Sequence, residues 1–385
     1  MFMNKRILNI LYSAGFLFTI HTAFTAYIDS SFLSNFINEK FVGLIFTIGA
    51  ILAIFFLNKI SFILSKLGNF KTMIFLILLE MLSLAGLILF KNPWIIISLF
   101  IIHYGFLVLL KFNFDVFIEH FSKNSFTGGI RGAFLTVVNL AWVISPILVG
   151  YALNDSEFWK IYLMSSLILA PLLLIIYLNF KNIPDNHYYH PPFWKTLKEV
   201  LDNKNIRKIF MASFLLQFFF GWMVIYMPIY LKRHIGFSWG EIGVMFTIML
   251  LPYILFELPL GKLADSRFGE KEFLTVGFLI TALSTGIIAF LTSANLLVWI
   301  IILFITRIGA SFIEITSESY FFKQINDTDV NVISFFRNTQ PAAYIIAPVI
   351  ATIILKFFAY QYLFLILAVI MLWGLRYSMT LRDTK

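Results

Sequence analysis

The sequence predicts an all-α membrane protein with twelve transmembrane helices, arranged as two pseudo-symmetric six-helix bundles. Hydrophobic residues make up 60% of the 385 residues, and the mean hydropathy is +0.88, whereas about half of a soluble domain is apolar. Apolar runs of about 18 or more residues recur along the chain, and each is long enough to cross a hydrocarbon core of about 30 Å. The runs are continuous rather than alternating, which indicates helices rather than the strands of a barrel.

The positions of the basic residues predict how the spans are oriented. If the N-terminus is cytoplasmic, about 21 of the 29 Lys and Arg residues lie in cytoplasmic loops, as the positive-inside rule expects. The net charge of +9 therefore indicates orientation rather than nucleic-acid binding. We expect a multi-pass protein of the inner cell membrane with both termini cytoplasmic. The twelve predicted spans cover residues 7–28, 41–60, 72–90, 94–117, 131–153, 158–180, 207–230, 240–260, 273–292, 296–318, 333–355 and 358–377.

An internal repeat with a period of about 200 residues divides the chain into halves. "VGLIFTI" at 42–48 matches "IGVMFTI" at 242–248, and "LFIIHYG" at 99–105 matches "LFITRIG" at 303–309. Each repeat holds six spans, so the first span, which resembles a signal peptide, is needed as the counterpart of the seventh. Two such halves are related by an axis along the membrane normal in parallel-repeat transporters.

We therefore expect three segments: an N-terminal bundle at 1–180, a cytoplasmic linker at 181–206 and a C-terminal bundle at 207–385. The linker contains "PPFWKTLKEVLDNKN", in which apolar residues recur at helical spacing with charged residues between them. This pattern predicts a short amphipathic helix on the cytoplasmic membrane surface. A plain tether between the halves is the alternative.

The stretch "GKLADSRFGEKE" at 261–272 concentrates charge between two apolar spans. It resembles the signature loop of the major facilitator superfamily, in which glycines, an aspartate and basic residues recur in a fixed order. The resemblance implies a gate formed by charge pairs and a tight glycine turn, and a basic loop that only sets orientation is the alternative. The residues that carry the resemblance are Gly261, Leu263, Asp265, Arg267, Gly269 and Lys271.

The matching segment of the first half, "SFILSKLGNFK" at 61–71, keeps fewer of these residues. Gly68 and Lys71 remain, but Ser65 stands where the aspartate would be. We expect a loop here as well, with a weaker gating role.

A run of small residues in the fifth span is similar to the antiporter signature of the same family. Small residues let helices pack closely in lipid, and a proline bends a helix. The similarity implies export, with ordinary close packing as the alternative. The residues are Gly132, Ala141, Ser145, Pro146 and Gly150.

The resemblance implies alternating access around a site near the midplane, with spans 1, 4, 7 and 10 lining the cavity. An ionisable side chain at the centre of a span costs about 2.5–3.5 kcal/mol on insertion scales, so it usually faces a cavity. Arg307 lies about 15 Å from the outer end of its span, and His103 occupies the matching position in the first half. The candidates for solute contact are His21, His103, Gln217, Trp222 and Arg307.

Two carboxyl groups are candidates for proton coupling. Glu314 shares a helical face with Arg307, and a structural ion pair between the two is the alternative. Asp115 lies four residues after Lys111, at the spacing of a helical ion pair. The sequence pattern assigns no role to Glu80 in the third span.

The sequence contains no catalytic constellation and no phosphate-binding loop, and it has no Cys for a disulfide or a thiolate metal site. We expect no enzymatic activity, cofactor, metal or nucleic-acid partner. The predicted function is proton-coupled export of an amphiphilic solute by a monomer in membrane lipid. The alternatives are a proton symporter or uniporter for a sugar or small organic acid, or a lipid scramblase or receptor that pumps nothing.

Overall fold

A computed structural model describes residues 5–121, 127–153, 157–181, 198, 202–263, 269–324, 336 and 338–381. These residues form helices and short connections, with no strand among them. The chain divides into two compact units, Met1–His190 and Pro191–Lys385. Of the segment 191–205, in which the linker's amphipathic helix is predicted, only Lys198 and residues 202–205 are described.

Unit 1 contains five long helices and two short helical segments. α3 packs along α4, while α1 packs against α5 and α6. At the α3–α4 contact, the Phe46 ring meets the Phe100 ring edge to face, with 5.0 Å between centroids. The helices are α1 (Lys5–Ala26), α2 (Asp29–Leu33), α3 (Val42–Leu89), α4 (Pro93–Phe121), α5 (Thr127–Ala152) and α6 (Trp159–Asn179), with a 3₁₀ turn at Glu39–Phe41.

The break predicted at 61–71 is narrower in the structure than in the prediction. The second and third predicted spans correspond to the helical stretches 42–67 and 69–89 of α3, which are separated at Gly68. The residues around Gly68 include no proline, so nothing else in this stretch prevents helix formation. Gly68 has φ 77° and ψ 161°, a backbone conformation that is essentially restricted to glycine.

Unit 2 follows a similar order of helices. α9 packs along α10 and α12, α10 packs along α8, and α11 packs against α7. The helices are α7 (Lys204–Ile229), which continues into a π-helical turn at Tyr230–Ile235, α8 (Trp239–Leu263), α9 (Glu270–Ile288), α10 (Leu296–Gln324), α11 (Thr339–Phe357), α12 (Tyr362–Leu372) and α13 (Gly374–Met379).

Gly269 has the same backbone conformation as Gly68, with φ 76° and ψ 171°. The two glycines are about 200 residues apart, at positions that the sequence repeat pairs. Each stands immediately before a helical stretch, which is 69–89 in α3 and α9 in unit 2. The backbone therefore breaks in the same way at matching points of the two halves.

The described residues include eleven helical segments that are long and apolar enough to cross a membrane. They correspond to the predicted spans except the fifth, for which the apolar segment Thr136–Ala152 is shorter, although α5 as a whole has 26 residues. The prediction of an all-α, multi-pass membrane protein is confirmed.

The crossing of α9 and α10 depends on glycine. A Cβ atom added to Gly277 would lie 2.9 Å from the Gly309 carbonyl oxygen and 2.9 Å from Cγ1 of Ile313. Neither the backbone oxygen nor the neighbouring buried side chains can move away cheaply. The two helix backbones are therefore in direct contact, as small residues allow in membrane bundles.

We predict that Gly277→Ala lowers the free energy of unfolding by about 1–3 kcal/mol through overpacking, measured as a lower unfolding temperature of the purified protein. Gly240→Ala is the matched control, because a Cβ atom there meets nothing within 4 Å. Since alanine favours helix over glycine, the control variant should be neutral or stabilised. Equal unfolding temperatures for the two variants would contradict the close crossing.

Candidate functional site

A cluster of polar side chains lies in the interior of unit 1. Five helices contribute to it, although each contributes only one or two polar residues, so the cluster exists only because of tertiary packing. Each residue is at most 3% exposed, so the cluster is closed off from solvent. Its members are His21 on α1, Asp29 on α2, Glu80 on α3, His103 on α4, and Tyr162 and Ser165 on α6.

Glu80 is at the centre of this cluster. Its Oε1 lies 2.5 Å from Nδ1 of His103 and 3.4 Å from Nε2 of His21. On the far side of His21, the Ser165 hydroxyl lies 2.6 Å from Nδ1 of the imidazole and 3.0 Å from the His21 carbonyl oxygen. One carboxyl group therefore connects two imidazoles on different helices.

Asp29 extends the cluster in the other direction. Its Oδ2 lies 3.9 Å from Nε2 of His103, and its Oδ1 accepts a hydrogen bond of 2.9 Å from the Tyr162 hydroxyl. The groups form one series: Ser165, His21, Glu80, His103, Asp29, Tyr162. Two carboxyl groups thus alternate with two imidazoles.

This alternation explains how ionisable groups are tolerated in an apolar bundle. Burying an isolated charge costs several kcal/mol, and only a well-placed partner offsets that cost. Three atoms of the cluster have no hydrogen-bond partner among the described residues: His21 Nε2, Glu80 Oε2 and His103 Nε2. The cluster is therefore paired but not saturated, and it can accept further hydrogen bonds or a proton.

Such a series can carry protons. Carboxyl and imidazole groups gain and lose protons near physiological pH when their surroundings change, and series of Asp, Glu and His are the proton relays of membrane pumps and transporters. Because the groups are in contact, their protonation is coupled and belongs to the cluster rather than to one residue.

The cluster changes the interpretation of two predicted residues. His21 and His103, predicted to contact solute, are both buried and bonded within the cluster. Sequence reasoning gave no role to Glu80 and overlooked Asp29. The available signal was one ionisable residue in each of several apolar spans, but the sequence does not show that those residues meet.

Arg307 lies in the interior of unit 2, on α10, and is 2% exposed. Its guanidinium carbon lies 5.1 Å from the ring centroid of Phe219 and 5.4 Å from that of Phe220, both on α7. No acidic side chain among the described residues lies within ion-pair distance, and Nε has no hydrogen-bond partner there. The ion pair between Arg307 and Glu314, which was the alternative to proton coupling by Glu314, is therefore not formed in this structure.

Energetically, Arg307 is poorly compensated. A cation–π contact contributes about 0.5–2 kcal/mol, which is less than the several kcal/mol that burying one ion costs. The aromatic rings thus hold the guanidinium in place without neutralising it.

The other predicted solute contacts lie on α7 of unit 2. Trp222 is fully buried, and its ring centroid lies 5.3 Å from that of Phe218. The indole Nε1 has no hydrogen-bond partner among the described residues. Gln217 is half-buried on the same helix.

The two predicted proton-coupling residues are more accessible than the unit 1 cluster. Glu314 is half-buried on α10, and Asp115 is exposed on α4, one turn after the exposed Lys111. Both Glu314 and Asp115 remain predictions.

The predicted gating loop is only partly described. Gly261 lies in the last turn of α8 and Lys271 in the first turn of α9, while Asp265 and Arg267 lie outside the described residues. Next to Gly269, the fully buried Glu270 accepts a hydrogen bond of 2.5 Å from Nζ of Lys323 at the end of α10. A charge pair that sequence reasoning missed thus connects this loop to α10.

The small residues of α5 lie mostly on a buried strip. Ala141 and Ser145 are fully buried, and the Ser145 hydroxyl donates to the Ala141 carbonyl oxygen at 2.7 Å. Pro146 and Gly150 are also buried, and Pro146 lies inside the helix. The structure does not describe the surroundings of Gly132. α5 packs against α1, so close packing is one role that these residues have.

Comparison with known protein families gives one match. Residues 209–382 match the model of the Major Facilitator Superfamily. No curated protein sequence matches the chain significantly. The matched region covers α7 through α13 except the first turn of α7, and it includes Arg307.

We predict that Tyr162→Phe lowers the free energy of unfolding by about 1–3 kcal/mol, because it removes a buried hydrogen bond to a carboxyl group. Tyr177→Phe, at a 54% exposed position of the same helix, should leave it unchanged. The comparison is made by thermal unfolding of both purified variants. If Tyr162→Phe and Tyr177→Phe unfold at the same temperature, the bond to Asp29 contributes nothing.

Proposed function

We propose that this chain, whose residues 209–382 match the model of the Major Facilitator Superfamily, is a proton-coupled secondary transporter that exports an amphiphilic solute. The coarser statement follows from the family itself, since its members are membrane transporters. Proton coupling, the direction of transport and the solute are the parts that we propose.

The buried cluster of unit 1 is the observation that carries the proposal. Glu80, His103 and Asp29 form a contiguous set of proton acceptors inside a bundle whose surroundings are apolar. Polar groups at membrane depth are costly and mark ion or proton pathways by default. A purely structural contact would not require two carboxyl groups and two imidazoles from four helices.

Alternating access turns this cluster into a coupling device. A proton binds while the cluster is accessible from one side of the membrane and leaves when it is accessible from the other. If protonation changes the affinity for solute, then solute binding changes the affinity for the proton by the same factor. Inward movement of protons along their gradient then drives solute outward.

Two further features support this proposal. The small residues of α5 are similar to the antiporter signature, which favours export. The repeat supports two six-helix halves, joined by the linker 181–206, that rock against each other. In this scheme the loop at 261–272 is the gate, and the Glu270–Lys323 pair holds its second half against α10 in one state.

We predict that Glu80→Gln abolishes pH-driven accumulation but preserves exchange of solute at equal pH. Glutamine keeps the size and polarity of the side chain but cannot carry the proton. The measurement uses proteoliposomes with an imposed pH gradient and eight-carbon amphiphiles that carry anionic, cationic or neutral head groups.

Glu157→Gln is the matched control, since Glu157 is half exposed and pairs with Lys160 at 3.0 Å on the surface of unit 1. It should retain both transport modes. Normal pH-driven accumulation by Glu80→Gln would place coupling elsewhere, and Glu314→Gln and Asp115→Asn would then be measured in the same assay. Loss of exchange as well as accumulation would show that Glu80 has a structural role instead.

A further inference from the structure

We propose that Arg307 binds the anionic head group of the transported solute, which makes that solute an organic anion with an apolar body. This inference rests on the proposed transport function and narrows its substrate class. It concerns the interior of unit 2 and does not depend on the proton cluster of unit 1.

The first argument is the missing counter-charge. Arg307 is 2% exposed, it has no acidic partner among the described residues, and its Nε has no acceptor there. A guanidinium cannot escape this cost by losing its proton, because arginine stays protonated in proteins. A buried cation that the described chain leaves uncompensated is best explained by an anion that arrives during the transport cycle.

The second argument is the way in which Arg307 is held. The ring centroids of Phe219 and Phe220 lie 5.1 and 5.4 Å from the guanidinium carbon. These contacts fix the guanidinium without occupying its hydrogen-bond donors. The planar fork of donors stays available for the two oxygens of one oxyanion, the geometry in which arginine binds carboxylate and phosphate most strongly.

The third argument is a second unused donor, which lies on α7, the helix that carries Phe219 and Phe220. Trp222 lies one turn after Phe219, and its buried indole Nε1 has no acceptor among the described residues. Arg307 Nε and Trp222 Nε1 are both hydrogen-bond donors, so a ligand with several acceptor atoms would satisfy them, whereas a cationic ligand would not. Acceptor oxygens on an anionic head group would satisfy this requirement.

The surroundings of these donors favour an apolar body on the anion. Phe218, Trp222 and Tyr226 follow one another along one face of α7, with ring centroids 5.3 and 5.9 Å apart. A ligand whose head reaches Arg307 would therefore lie along aromatic rather than polar side chains. Because Arg307 is closed off in this structure, the anion must reach it in another conformation, which alternating access provides.

The test measures binding rather than transport. The full-length protein is placed in phosphatidylcholine nanodiscs, and its unfolding temperature is recorded with octyl sulfonate, octyl phosphate or octyltrimethylammonium. These probes share one chain length, and their head groups stay charged, so head-group charge is the main variable. Octyl sulfonate and octyl phosphate should raise the unfolding temperature, as ligands that bind the folded state do, whereas the cation should not.

Arg307→Met should weaken the affinity for octyl sulfonate by about 10-fold or more. Its unfolding temperature without ligand should be unchanged or higher, since an uncompensated buried charge is replaced by an apolar chain. Arg307→Lys, which keeps the charge and loses the fork, should fold normally and bind the anions more weakly than the native protein. Arg376→Met, which removes an exposed arginine of α13, should retain the full response.

Four results would overturn the proposal. The first is that octyl sulfonate raises the unfolding temperature of Arg307→Met as much as that of the native protein, and the second is that octyltrimethylammonium raises that of the native protein as much as the anions do. The third is a large loss of stability in ligand-free Arg307→Met together with normal anion binding by Arg307→Lys. The fourth is an unfolding temperature that rises in phosphatidylglycerol discs only when Arg307 is present, with no further rise when octyl sulfonate is added. The last result would identify the anion as a lipid head group. A negative result in the binding test would not affect the proposal of proton-driven accumulation, and a negative result in the Glu80 test would not affect the proposal of anion binding. The two proposals can therefore be rejected separately.

Discussion

The constraint on which the whole structure depends is that hydrocarbon offers no hydrogen-bond partners. Backbone groups meet this constraint by forming helices, and buried side chains must find partners on neighbouring helices. The two units meet it differently. In unit 1, Glu80 and Asp29 are matched with His21 and His103, whereas in the described part of unit 2 Arg307 is held by aromatic faces.

This contrast falls on matching positions of the repeat. His103 and Arg307 occupy the same place in "LFIIHYG" and "LFITRIG", yet one joins a group of proton acceptors and the other is a fixed cation. An imidazole can change its charge during a transport cycle and a guanidinium cannot. The halves therefore share a helical plan, and we propose different ligands for their interiors, a proton in unit 1 and an anion in unit 2.

Glycine makes this plan possible at two levels. Gly68 and Gly269 adopt a conformation that side chains forbid, and so they set where the helical stretches of each half begin. Gly277 and Gly309 let α9 and α10 touch along their backbones. α10 carries Arg307, so this close crossing also helps to fix the position of the guanidinium inside unit 2.

The sequence by itself determined the fold class, because span length and continuous hydrophobicity leave helices as the only way to satisfy the backbone in lipid. The repeat and the loop at 261–272 also indicated a family whose model residues 209–382 match. The break between the second and third spans is a single residue, Gly68, rather than a loop over 61–71, and composition does not show that one residue is enough to separate two helices. Only the tertiary structure brought Glu80 and Asp29 to the two histidines, because residues far apart in sequence meet through helix packing, which no local pattern encodes. For the same reason, the sequence could place Arg307 in a span, but only packing could surround it with phenylalanine and leave it, among the residues that the structure describes, without a carboxylate.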